Sequence, residues 1–345
     1  MEKNKLLIID YLSKHTLISS KEVYEGISID IGYATVKRLL GKLKKENFVE
    51  TEGQGRSTRY KLSSSYALIK PVDVEDYFLL DIDDRVIRDG YNFELIPSIL
   101  QKVQLFTTDE MEYLDSLQST FTKNIQTLSE IEYQKELERL VIDLSWKSSQ
   151  IEGNTYSLLE TERLLKEKLT AEGKNKDEAI MLLNHKEAID FIVEHPDYLI
   201  PISVRKIKDI HSILTKELDI NRNIRNRRVG ISGTNYIPLD NEFQIREALQ
   251  QMCNLVNTRP NIFDKTFLLL ILLSYIQAFS DGNKRTARIV SNACLIQHNY
   301  CPISFRTVDS IEYKKAMLIF YEQNNISAFK RLFIGQFEFA VKTYF

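Results

Sequence analysis

The sequence predicts a mainly α protein, with one small β-hairpin near the N-terminus and helix through most of the remaining chain. Three observations carry this reading. Apolar residues make up 43% of 345 residues, only 12 Gly and 7 Pro interrupt them, and from Asn92 onward they recur at helical rather than alternating spacing. The length suits two domains. Cys253, Cys294 and Cys301 are sparse and lack metal-ligand spacing, which points to a reducing compartment, the cytoplasm, and to no disulfide framework. Leu6-Leu7-Ile8-Ile9 before Asp10 is too short for a signal-peptide core. The apolar run Phe267 to Ile276 falls short of the ~20 residues of a membrane span and reads as a buried helix.

The first element has Leu6, Ile9 and Leu12 on one helical face over residues 5–15. Ser19-Ser20 then caps a short second helix around Lys21 to Gly26. Gly32 to Leu43 forms a third, with Val36, Leu39, Leu40 and Leu43 as its buried seam and a basic outer face. Phe48–Thr51 and Arg59–Leu62 are paired strands around the flexible tip Gly53-Gln54-Gly55-Arg56-Ser57. Three helices followed by a hairpin resemble the winged helix-turn-helix of bacterial regulators. Over residues 1–65, twelve Lys and Arg face eight acids, although the whole chain carries a net −2. This excess suits duplex DNA, with Tyr33, Thr35, Lys37 and Arg38 as base-edge readers and Arg56 and Arg59 on the wing. Winged helices also pair with themselves or with other proteins, which leaves a homodimer open.

Residues 66–91 are acidic and aperiodic, an extended connection or edge strand. Helices come next at 130–150, where Ile131, Leu137, Leu140, Val141 and Leu144 form the buried face, and at 157–169, 176–194, 203–218, 242–257, 262–278, 282–298, 308–323 and 326–343. The interruption is Arg227 to Pro238, whose β-type residues alternate around Gly.

The most informative stretch is Tyr275 to Arg288. An apolar helix runs into the turn Ser280-Asp281-Gly282-Asn283, and a new helix starts at once. Backbone N–H groups at Gly282 and Asn283 then lie at a helix N-terminus, an anion-binding geometry. Asp281 is a hard oxygen ligand suited to Mg²⁺. Arg285, Arg288 and Asn292 share one face. Together these residues ask for a nucleotide polyphosphate and its metal.

The stretch resembles the Fic family signature, His-x-Phe-x-(Asp/Glu)-Gly-Asn-Gly-Arg-x-x-Arg, at Phe279, Asp281, Gly282, Asn283, Arg285 and Arg288. Gln277 stands where the family has its catalytic His, and Lys284 replaces the second Gly, as in the Doc branch. Upstream, Ser148 to Asn154 resembles the family's inhibitory motif, (Ser/Thr)-x-x-x-Glu-(Gly/Asn). The resemblance implies an all-α Fic fold with a β-hairpin flap at about 227–238 that grips an extended segment of a target protein. It also implies ATP and Mg²⁺ as cofactors. Phosphates would lie on Gly282, Asn283, Lys284, Arg285 and Arg288, with Asn292 extending the stripe, and the metal on Asp281. Gln277, Asn283 and Arg285 would be the catalytic set. Glu152, with Ser148 and Gly153, would plug the Arg288 guanidinium from an inhibitory helix at about 130–153. Phe279 reads as a core plug and His211 as structural.

A carboxamide has no useful basicity near pH 7, and a general base is worth ~10²–10⁴ in rate, so Gln277 implies a slow enzyme or one that recruits another base. Three functions remain. The leading one is an autoinhibited transferase of AMP from ATP to a protein hydroxyl. Its alternatives are a DNA-binding regulator that uses a degenerate Fic domain as a nucleotide sensor, and a Doc-like protein kinase. The expected domains are 1–65, 66–200 and 201–345, with the nucleotide motif at 277–292.

Overall fold

The computed structural model describes residues 2–27, 31–63 and 65–345, and the side chains from residue 4 onward among them. Lys3, counted among the N-terminal bases, lies outside the described side chains. The N-terminal unit has α1 (Glu2–Lys14), α2 (Ser20–Gly26), α3 (Tyr33–Lys45), β1 (Val49–Glu52) and β2 (Arg59–Leu62). Ser19 caps α2 through a reciprocal pair with Glu22, as the Ser-x-x-Glu spacing dictates. The strands pair antiparallel from Val49 opposite Leu62 to Glu52 opposite Arg59, and Ile18 bridges to Tyr60. Ile8, Leu12, Val23, Val36, Leu39, Leu40, Leu43 and Val49 close a core separate from that of the rest of the chain.

The body has ten principal helices among the described residues: α4 (Thr108–Thr127), α5 (Glu130–Ile151), α6 (Leu158–Glu167), α7 (Lys176–Glu194), α8 (Val204–Leu214), α9 (Glu242–Thr258), α10 (Ile262–Ile276), α11 (Asn283–Gln297), α12 (Ser310–Gln323) and α13 (Ser327–Tyr344). Capping boxes at Thr107/Glu110, Ser129/Glu132, Ser157/Glu160 and Asn175/Glu178 fix the starts of α4 to α7. Such caps satisfy N–H groups that a helix cannot pair internally, and each is worth ~1 kcal/mol. At the centre lie α10 and α11. Every residue of α10 from Phe267 to Ile276 is buried, so its apolar run is a core helix. No helix among the described residues is long and apolar enough to cross a membrane.

Three expectations are corrected here. Ile131, expected in the buried seam of α5, is 70% exposed, because the capped first turn precedes the part of the helix that packs. Residues 66–91 form no edge strand but a strap with short helical turns at Tyr66–Ile69 and Val74–Phe78. Side chains hold it instead: the buried Glu322 carboxylate accepts from Arg85 at 3.0 Å and from the Tyr77 hydroxyl. Residues 227–238 run extended with a turn at Ser232-Gly233 but pair in no strand ladder; among the described residues the sheet is β1–β2 alone. Their polar groups are taken singly, Gly233 O by Arg85 at 3.0 Å and the Asn235 amide by Asp83 at 2.9 Å. The Tyr236 ring is buried against Tyr275 and Tyr321.

Candidate functional site

The site forms where α10 stops. Gln277 ends it in the left-handed region, at φ 51°, and Gly282 at φ 79° starts α11 with no side-chain cap. A Cβ at Gly282 would meet His211 Nε2 only at ordinary contact distance, 3.4 Å, so it is the backbone angle that favours glycine there. Between the two helices, Asn283 folds the turn on itself: its Oδ1 accepts from Phe279 N and its Nδ2 donates to Phe279 O, both at 2.8 Å. Phe279 is buried and stacks on His211 with ring centroids 3.7 Å apart. His211 Nε2 lies 3.0 Å from Asp281 O, and burial pushes its pKa down to about 4. A neutral ring therefore donates to the turn and holds it in place, a structural role.

The two arginines differ in what they touch. Arg285 is 1% exposed, and one nitrogen, Nη2, meets Asp281 Oδ2 at 3.1 Å. Its Nε and Nη1 have no partner. Arg288 is 0% exposed; its Nε donates to Ser148 Oγ at 2.8 Å, and Nη2 donates to Ser148 O at 2.9 Å and to Glu152 Oε1 at 2.8 Å. Its Nη1 is also unpartnered, and the guanidinium lies 5.3 Å from the Tyr313 ring centroid. Lys284 approaches the other oxygen of Glu152 at 3.4 Å. Burial penalises the Glu152 carboxylate, yet Arg288 and Lys284 outweigh that and hold its pKa below the ordinary 4.5. The Ser148 hydroxyl also lies 2.6 Å from His185 Nε2. Burial, reinforced by Arg288 and Arg285, keeps His185 neutral, well below 6.5. Gly153, at φ 100°, ends α5: its N–H donates to Gln150 O at 3.0 Å and the Asn154 N–H to Ser149 O at 3.1 Å. The helix stop and the carboxylate contact are thus one piece of structure.

Among the expected residues, Ser148, Glu152, Asp281, Gly282, Asn283, Lys284, Arg285 and Arg288 converge. The Gly282 N–H is not free for an anion, being taken by Asp281 Oδ1 at 2.6 Å. Asn292 does not join the phosphate stripe. Its amide is fully used, by Arg288 O, Ile303 O and Ile303 N at 3.0, 3.1 and 2.7 Å, and it clamps α11 to the chain beyond it. Gln277 is 9% exposed and its amide is spent inward, on Ser274 O at 2.7 Å, the Tyr321 hydroxyl at 3.2 Å and Asn283 Nδ2 at 3.2 Å. Sequence reasoning missed Arg225, whose Nε donates to Gln277 O at 2.6 Å and whose N–H donates to Ala278 O at 3.0 Å; the run of bases from Arg222 to Arg228 was its one signal. No spacing rule pointed to Tyr313 or Tyr321. On the N-terminal unit Tyr33, Lys37, Arg38 and Arg56 are exposed and Thr35 is half-buried. Arg59 is ion-paired with Glu22 at 2.5 Å.

The family model for the Fic/DOC family matches residues 201–295, the span from α8 through the turn to α11. Residues 201–295 are a Fic/DOC domain. The protein adenylyltransferase Fic of Culex quinquefasciatus is 26% identical over 161 residues, which is 44% of this chain and 31% of that protein. The protein of the same description from Nematostella vectensis is 26% identical over 180 residues, 49% of this chain and 40% of its own length. The chain thus matches well under half the length of these curated relatives. Among solved structures, Fic-1 from C. elegans has a TM-score of 0.60 at 19% identity, covering 68% of this chain and 72% of that one. A Fic domain containing signaling protein from Bacteroides thetaiotaomicron has a TM-score of 0.57 at 17% identity, covering 67% and 94%. At such identities the structures attest the Fic fold. The Fic domain here therefore differs from the family signature in its base, at Gln277, and in its second glycine, at Lys284.

Proposed function

We propose that this chain is a Fic-type protein adenylyltransferase that moves AMP from ATP to a hydroxyl of a target protein, held closed by its own Glu152. The observation that carries this is the pair of buried arginines at an uncapped helix start, with Nε and Nη1 of Arg285 and Nη1 of Arg288 unpartnered. Buried guanidinium donors without acceptors cost several kcal/mol, and a polyphosphate supplies those acceptors. Asp281, with 64% of its side chain exposed, would be the residue to hold a divalent ion, alongside the bonds it accepts from Gly282 N and Arg285, since Mg²⁺ sites need few protein ligands. Such an ion supplies charge neutralisation when bound. In transfer the target oxygen bonds to the α-phosphorus, the bond to the β-phosphate oxygen breaks, and pyrophosphate leaves. Arg285 and Arg288 hold the phosphates through this exchange. Gln277 takes no proton, its amide being spent on Ser274, Tyr321 and Asn283, so the hydroxyl proton passes to water or to a base brought by the target. Phosphate electrostatics are usually the larger part of catalysis, which supports a slow enzyme. The exposed, unladdered course of 227–238 supports docking of an extended target segment by main-chain pairing, and the basic residues of α3 and the wing support duplex DNA as a partner.

A second reading, the nucleotide-sensing regulator, is favoured by one observation: the Gln277 amide is wholly engaged in holding the turn. ATP labelled at the α- or γ-position separates the functions. Retained α-label supports AMP transfer, retained γ-label means a Doc-like kinase, and neither label on any protein means a sensor.

A further inference from the structure

Beside the phosphate turn lies a separate basin of about 600 Å³, reached past Ser280 and lined by Lys208, Arg225, Arg227 and Arg246, with Glu242 as its one acid. Glu242 is already taken by Arg246 at 2.8 Å, and Asp240 adds some negative field at Arg225. Arg225 is 5% exposed. Two of its nitrogens are spent on the backbone of Gln277 and Arg227, while Nη2 has no partner at all. A buried guanidinium with an idle fork position, in a cavity with Lys208 and Arg227 as further cations and Arg246 matched by Glu242, is built for an oxyanion. The nucleotide does not account for it, because Arg285 and Arg288 serve the phosphates from α11. Val229, at the start of the extended segment, also lines the basin, so a strand paired along 227–238 runs past it.

We propose that the basin is a specificity pocket for a carboxylate side chain of the target, so that this chain selects a hydroxyl flanked by Asp or Glu. This rests on the transferase reading of the neighbouring turn. Arg225 bonds directly to the Gln277 carbonyl, so filling the basin also steadies the turn that follows α10. The test uses the full chain and two fluorescent nonapeptides, each with a central Ser, flanked in one by Glu and in the other by Gln. Polarisation should show the Glu peptide binding about tenfold tighter, with the preference lost in Lys208→Gln/Arg246→Gln and reduced by inorganic phosphate. Both changes lie on the rim, sparing the Arg225 bonds that support the turn. Equal affinity for the two peptides, or a preference that survives the double variant, overturns the pocket. ATP titrated into the same preparations reads the nucleotide site separately. Lost ATP binding with a kept Glu preference would overturn the transferase reading and support the basin.

Discussion

Glu152 joins two cations of the site, its oxygens meeting Arg288 at 2.8 Å and Lys284 at 3.4 Å. Removing that carboxylate frees both cations for phosphate. Glu152→Gly should therefore tighten ATP binding by roughly five- to hundredfold, the ~1–3 kcal/mol usual for coupled sites. Calorimetric titration checks this, and equal affinities would remove the inhibitory reading of Ser148 to Asn154. Gln277 presents the complementary case. In the Glu152→Gly background, Gln277→His restores a group that titrates near neutral pH, and α-label transfer should rise by about ten- to ten-thousandfold. The imidazole also gives up the carboxamide's bonds to Ser274 and Asn283, which sets the lower end of that range. Unchanged transfer alongside intact ATP binding would shift the assignment to a nucleotide sensor.

At the scale of elements, helix positions were legible because polar caps and 3.6-residue periodicity are local signals. The cap read at Ser19-Ser20 falls on the observed start of α2, and the seam of α3 is buried as its spacing requires. The turn between α10 and α11 was legible for the same reason: Asp281, Gly282 and Asn283 lie within one turn of chain. What was illegible depends on partners far away in sequence. Asn292 shares a helix face with Arg288, yet its amide is captured by Ile303. Arg225 reaches Gln277 across 52 positions, and the buried Glu322 ties down a strap 237 residues earlier. The segment 227–238 has strand-like composition, but the individual anchors at Gly233 and Asn235 replace a ladder. Periodicity reports which face is buried, not which polar group meets it.

At the scale of the whole molecule, buried neutral histidines make stability depend on pH. His211 and His185 titrate below 6.5 in the folded chain, His211 at about 4. The unfolded chain binds these protons first, so stability is fully present above pH 6.5 and falls as pH drops toward 4. For His211 the loss is about 3 kcal/mol, at ~1.4 kcal/mol per pKa unit. Thermal unfolding measured from pH 7 to pH 4.5 should show a falling midpoint, and His211→Phe should flatten the slope; a slope unchanged by that substitution would mean the ring is not protonated only on unfolding. At the other end of the molecule, isolated residues 1–65 have their own core and should retard duplex DNA at low salt, releasing it steeply as salt rises. Arg56→Ala should weaken retardation more than Arg59→Ala, because Glu22 already neutralises Arg59. A gel shift in which neither change matters, or a domain that only self-associates, would point to a protein-binding role.

The end of α5 also has a bearing on timing. Glu152 is fixed at its backbone by the Gly153 and Asn154 bonds to Gln150 and Ser149, so its carboxylate is tethered to a closed helical turn rather than hung on a loose loop. Opening by fraying of that turn would fall on the microsecond to second scale and would make nucleotide entry a gated event with a ceiling. In rapid mixing, the observed rate should level off with rising ATP in the native chain and keep climbing in Glu152→Gly. A rate that climbs without limit in both would mean that rotation of the side chain alone opens the way.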